Sequence, residues 1–167
     1  MTADTRGKEP TAEEKTMAEK DFVKGAYSVN MLHVKASEYA LSQVNDPAIR
    51  KLAEKLITDH KMAMEKLTTL AKAKGIDLSP DLLPPQKTML QHAMMTKGEM
   101  FATVYLVNMT TLHVHDILEN SHVANDASDA EIKAFAAESL PVLKAHYAMI
   151  LPMAEAKVKL TDGLSSK

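Results

Sequence analysis

Residues 56–70, LITDHKMAMEKLTTL, decide the fold. Leu56, Ile57, Met64, Leu67 and Leu70 recur at helical spacing, and His60 sits inside that apolar stripe, where a polar ring would have to be buried. Three other stretches repeat the pattern. His33 lies among Phe22, Ala26, Val29, Ala36 and Ala40, His113 among Leu106, Met109 and Ile117, and His146 among Val142, Leu143, Ile150 and Met153. Four long helices are therefore expected, each carrying one histidine on its inward face.

Local signals set the helix limits. Thr11 and Glu14 form a possible capping box, although the apolar stripe of the first helix begins only near residue 20 and runs to 44. Asp46 followed by Pro47 supplies an N-cap and a proline at the first helical position, so the second helix starts almost without a loop. Gly75 closes it. Pro80, Pro84, Pro85 and Gly98 prevent any single helix from spanning 75–98, though KTMLQHAMM can make a short one. Thr96 with Glu99 predicts a third long helix over 99–123, and Ser128 with Glu131 a fourth over 129–158, bent at Pro141 and Pro152. No stretch alternates with period two. The expectation is an all-α, ferritin-like four-helix bundle over 20–158: two tight hairpins joined by a long crossover with a short extra helix. Residues 1–19 are expected as a flexible or partly helical arm and 159–167 as a frayed tail.

Composition narrows the function. A net charge of −2 gives no basic footprint for nucleic acid, and no apolar run approaches the ~20 residues of a membrane span. The absence of cysteine removes disulfides, thiolate metal sites and cysteine nucleophiles together. The first 15 residues contain no apolar core of a signal peptide, as in a mature chain behind an added Met1 or a cytosolic start. Gly-rich phosphate loops, Gly-x-Ser-x-Gly elbows and His-Glu-x-x-His pairs are lacking, so no catalytic residues are assigned.

With a rise of ~1.5 Å per residue, His33 and His60 differ in depth by only ~5 Å, and His113 matches His60 if the crossover returns the chain to the same end. His60 and His113 should then face one another. His146 comes out ~10 Å from the level of His113 unless the prolines move it. Four imidazoles at one level could complete the shell of copper, or of zinc or another transition metal. Met64, Met109 and Met149, each one turn from a ring, would add thioether and favour Cu(I) or Ag(I). The competing reading is a core of hydrogen-bonded histidines without metal, as in a structural or interaction module. Met89, His92, Met94, Met95 and Met100 cluster in the crossover, where the simpler reading is the apolar face of a short helix. Glu119 and His122 form the one Glu-x-x-His pair, too few for a di-iron carboxylate bundle.

The segments FVKGAYSVNMLHVKASEYAL, DPAIRKLAEKLITDHKMAMEKLTTLAKAKGIDL, FATVYLVNMTTLH and IKAFAAESLPVLKAHYAMI resemble the bacterial, exported, ferritin-like domains of unknown function described as outer-membrane or secreted proteins. Asp59-His60, YLVNM with His113, and LPVLKAH with His146 carry the resemblance most specifically. Two positions depart from that pattern, with His33 in place of Glu and Ala102 in place of Asp. If the first is a ligand, the change from oxygen to nitrogen favours softer metals. The resemblance implies an exported, periplasmic protein and no particular reaction. The partner expected is a metal ion, with protein partners unassigned and a homodimer left open.

Overall fold

The computed structural model describes residues 9–164, with side chains to 160. The expected arm over 1–19 and tail over 159–167 lie partly outside that range. Five helices follow one another: α1 (Ala12–Gln43), α2 (Pro47–Ala73), α3 (Pro84–Met94), α4 (Gly98–Asp126) and α5 (Ala130–Leu164). No strand occurs among the described residues, so the chain is an all-α bundle. α1 starts at the Thr11 capping box, where the Thr11 hydroxyl accepts from the Glu14 amide and the Glu14 carboxylate accepts from the Thr11 amide. Asp46 caps α2 through the amides of Ala48 and Ile49, with Pro47 behind it. Gly75, at φ +62°, takes the left-handed turn that ends α2.

Two expected caps are corrected. Thr96 does not open α4; its hydroxyl donates to the Ala93 carbonyl and so closes α3, while Gly98 turns the chain at φ +55°. Lys97 occupies the N-cap of α4 without a side-chain bond. At α5 the cap is Asp129 rather than Ser128, because the Asp129 carboxylate accepts from Glu131 and Ile132. Glu19 of α1 in turn accepts the amides of Ser128 and Asp129, tying the start of α1 to the second hairpin. Replacing Asp129 by Ala should cost about 1 kcal/mol in chemical denaturation, since two amides lose their acceptor. Its half-buried partner Lys74 keeps a second carboxylate, Glu131, so loss of that ion pair adds little.

α1 packs along α2 and α4 along α5, while α1–α4 and α2–α5 contacts close the ring. Across α1–α4, Ser37 meets Tyr105 and His33 meets Asp116. Across α2–α5, Lys66 meets Glu138 and Asp59 meets His146. Residue numbers run in opposite directions in both seams, so α2 and α4 are parallel: the crossover does bring the chain back to the same end. α3 rests on α1 and α4. α5 passes through Pro141 and Pro152 without interruption.

The apolar interior is in two parts. One, near the α1–α2 hairpin, includes Leu32, Ile49, Leu52, Leu56, Phe101, Tyr105 and Ile150. The other, at the opposite end, gathers Phe22, Val23, Leu67, Leu70, Ile132 and Phe135. His33, His60, His113 and His146 occupy the level between them, one from each long helix.

Candidate metal centre

All four rings are buried. His33 and His60 stack with centroids 4.0 Å apart, and His113 lies 4.6 Å from His33, 5.6 Å from His60 and 5.3 Å from His146. His146, expected ~10 Å out of level, is in the layer. The reason is the length of α4, which runs to Asp126 rather than 123. His113 then lies 13 residues before the end of α4 and His146 lies 16 after the start of α5 at Ala130.

Each ring has one nitrogen whose role is fixed by its partner. His113 Nδ1 faces the Met109 carbonyl at 2.8 Å, which can only accept. His60 Nδ1 faces Asn30 Oδ1 at 2.7 Å, and the Asn30 amide nitrogen donates to the Ala26 carbonyl, which sets the amide's orientation. His33 Nε2 donates to the Asp116 carboxylate at 2.8 Å and His146 Nε2 to the Asp59 carboxylate at 2.7 Å. Burial works to raise the Asp59 carboxyl, but the hydrogen bonds from Lys55 and His146 outweigh it and hold it below its ordinary value, so Asp59 is an acceptor.

Wherever a ring is neutral, its other nitrogen is therefore a lone pair. His33 Nδ1 meets only the Met109 sulfur, at 3.4 Å. His60 Nε2 has no partner. His113 Nε2 and His146 Nδ1 face each other at 3.2 Å, two acceptors with no proton to share. One ring nitrogen from each of His33, His60 and His113 lies within 4.8 Å of the other two. Protonation would relieve the conflict but is opposed. Burial, reinforced by the neighbouring rings, pushes His60 well below its ordinary value. Burial, then His33, pushes His113 down to about 2 despite the Met109 carbonyl. Burial lowers His146 as well, against the pull of Asp59.

The thioethers separate. Met109 is buried with its sulfur at the centre. Met64 is half-buried and packs against the first core cluster, and Met149 is 38% exposed, so neither is brought to the rings in the way Met109 is. In the crossover, His92, Met94, Met95 and Met100 are exposed. His122 pairs with Asp126 on the surface, apart from Glu119. Val142, counted in the inward stripe of α5, is 43% exposed because it borders a cleft of about 450 Å³ between α2 and α5. His60 and His146 form part of that cleft's floor.

Sequence reasoning missed Asn30, Asp59 and Asp116 as the groups that orient the rings. The available signal was a polar residue one turn from a core histidine: Asn30 precedes His33 by three and Asp116 follows His113 by three. Their bonds cross to other helices, however. Asn30 holds His60, Asp116 holds His33 and Asp59 holds His146, so none serves the histidine nearest to it in sequence.

Two solved structures share the fold. CopM in the Cu(II)-bound form matches with a TM-score of 0.69 at 13% identity, over 83% of this chain and 96% of that one. CopM in the Ag-bound form matches with a TM-score of 0.68 at 14% identity over the same shares. No curated protein is similar enough to count as a match. Among the described residues, no helix is long and apolar enough to cross a membrane. The family model described as Domain of unknown function (DUF4142) matches residues 5–153, nearly the whole bundle with all four histidines, and the chain belongs to that family.

Proposed function

We propose that this chain is an exported, non-catalytic metal-binding protein that holds a late transition metal, copper first, with His33, His60, His113 and His146 in a bundle of ferritin-like connectivity. The observation that carries the reading is the convergence of ring nitrogens from His33, His60 and His113 within 4.8 Å of one another, with His146 Nδ1 beside His113 Nε2 and each ring pinned from behind by an acceptor. Such outer acceptors are the usual second layer of histidine metal sites, where they fix the tautomer and raise the basicity of the ligating nitrogen. The 3.2 Å separation of His113 Nε2 and His146 Nδ1 is close to a tetrahedral edge at metal–nitrogen bonds of ~2.0 Å. Within the His33, His60 and His113 set the rings would close by up to ~1.5 Å to match. All-nitrogen ligation with Met109 sulfur alongside favours copper over harder cations, and the shared fold with CopM in its Cu(II)- and Ag-bound forms supports the same choice. A carboxylate-bridged oxidase centre lacks its ligands here. Periplasmic location is part of the proposal, supported by the family resemblance and by the lack of cysteine; cell fractionation checks it.

Metal analysis of protein purified without chelator, then dialysed against copper or zinc, tests the site. One tightly held equivalent is expected, and His60→Ala should abolish it. If the histidines only hydrogen-bond, as in a structural envelope module, no metal is retained and His60→Ala costs stability alone, on the order of 1–3 kcal/mol. The outer acceptors give a finer test: Asp116→Asn or Asn30→Leu should weaken copper binding by about 10- to 100-fold in chelator competition.

A further inference from the structure

Among the described residues, two buried side-chain polar atoms lack a hydrogen-bond partner, His60 Nε2 and Asn120 Oδ1. Both residues line the same cleft between α2 and α5. His60 Nε2 belongs to the centre already described; Asn120 does not. The Asn120 side chain is 7% exposed, and its amide nitrogen donates to the Asp116 carbonyl at 2.8 Å, which leaves the oxygen as the free atom. Asp116, Glu119 and Asn120 are spaced i, i+3, i+4 and share one face of α4, and His113, three residues before Asp116, continues that face to the rings. One Asp116 oxygen is held by His33, and the other meets only His115 Nδ1 at 3.9 Å. Glu119 likewise meets only His115, at 4.0 Å. The two lysines of the cleft are already matched, Lys55 with Asp59 and Lys66 with Glu138. Phe135, Val142 and Leu143 form an apolar wall opposite.

We propose, resting on the metal-binding reading above, that this cleft is the loading route of the centre and that Asp116, Glu119 and Asn120 form an oxygen-lined station where a divalent cation pauses before passing to the rings. An acceptor-only group of amide and carboxylate oxygens attracts a cation. A cleft with a low-dielectric wall concentrates that field and raises the rate of arrival. Oxygen ligands hold a late transition metal less strongly than imidazole does, so the ion moves on towards His60 and His146, which the cleft reaches. Only ligands are exchanged along the way; water gives place to oxygen and oxygen to nitrogen, with no change of oxidation state.

Stopped-flow mixing of Cu(II) chloride with the metal-free full chain tests the route. Glu119→Gln and Asn120→Leu should each slow loading by on the order of tenfold, and Glu119→Gln should flatten its dependence on salt. Ala63→Phe, which narrows the cleft from the α2 side, should slow loading and release by the same factor and leave the equilibrium affinity unchanged. Glu119 is partly exposed, so its variant keeps the helical circular-dichroism spectrum and its kinetics stay interpretable. Wild-type copper affinity with unchanged loading rates in all three variants overturns the route alone. Failure of the wild-type chain to bind copper overturns the metal reading and the route with it.

Discussion

Below about pH 6.5 the metal-free protein is expected to lose stability steeply, over a range where an ordinary helical bundle changes little. His60, His113 and His146 are all depressed below 6.5, chiefly by burial. A histidine whose folded pKa is lower than its unfolded one takes up its proton more readily when unfolded. Its contribution is fully present above the unfolded value and is lost as the pH falls towards the folded value. For His113 that window runs from 6.5 down to about 2. Each such ring adds up to ~1.4 kcal/mol per pH unit to the slope, so the three together approach ~4 kcal/mol per unit. Against a total stability of roughly 5–15 kcal/mol, a fall of a few pH units is enough to unfold the chain. Denaturant titrations with chelator present, repeated across this range, check it. A profile flat from neutral pH to about pH 5 would mean that the rings are open to water, in conflict with their burial.

Copper should offset this loss without changing its slope. At a hundredfold excess over the dissociation constant, a ligand that binds only the folded chain adds about 2.7 kcal/mol, which for a protein of this size raises Tm by roughly 5–10 °C. The gain should be the same in mild acid for as long as the folded rings stay neutral, because binding then exchanges no protons. His113→Ala should abolish the shift, because it removes both the ring that faces His146 and a neighbour of His33. Since burial holds His60, His113 and His146 below their ordinary value, their ligation near neutral pH should release almost no protons, which calorimetry in buffers of different ionisation enthalpy measures. Release of one proton or more per copper would show that an imidazolium had occupied the layer beforehand.

The helices and the histidine layer were legible for related reasons. Apolar periodicity marks the inward face, a polar ring on that face has to be explained, and counting residues from a hairpin gives its depth. The Asp46-Pro47 start and the Gly75 stop are local chemistry, visible without tertiary knowledge. What failed depended on a few residues at a helix end. Ending α4 at 123 instead of Asp126 puts His146 out of level, and the Ser128–Glu131 spacing points to a cap one residue before the one that forms, Asp129. The outer acceptors were hidden for a different reason. Their partners are 30 to 87 residues away in sequence, a separation that no helical spacing encodes. The cleft was equally out of reach, since an apolar stripe does not reveal whether the facing helix comes close enough to cover Val142.

The division of the apolar interior into two clusters, with the rings between them, bears on how the molecule opens. A layer of mutually repelling lone pairs adds little cohesion between the halves, so the metal-free chain should exchange its amide hydrogens as two cooperative units. Amides around Leu32, Leu52 and Leu106 would form one protection class, and those around Val23, Leu70 and Ile132 another. A single ion bound by all four helices would merge the two classes into one. The bundle would then behave as a clasp, closed by its cargo at the waist rather than at either end.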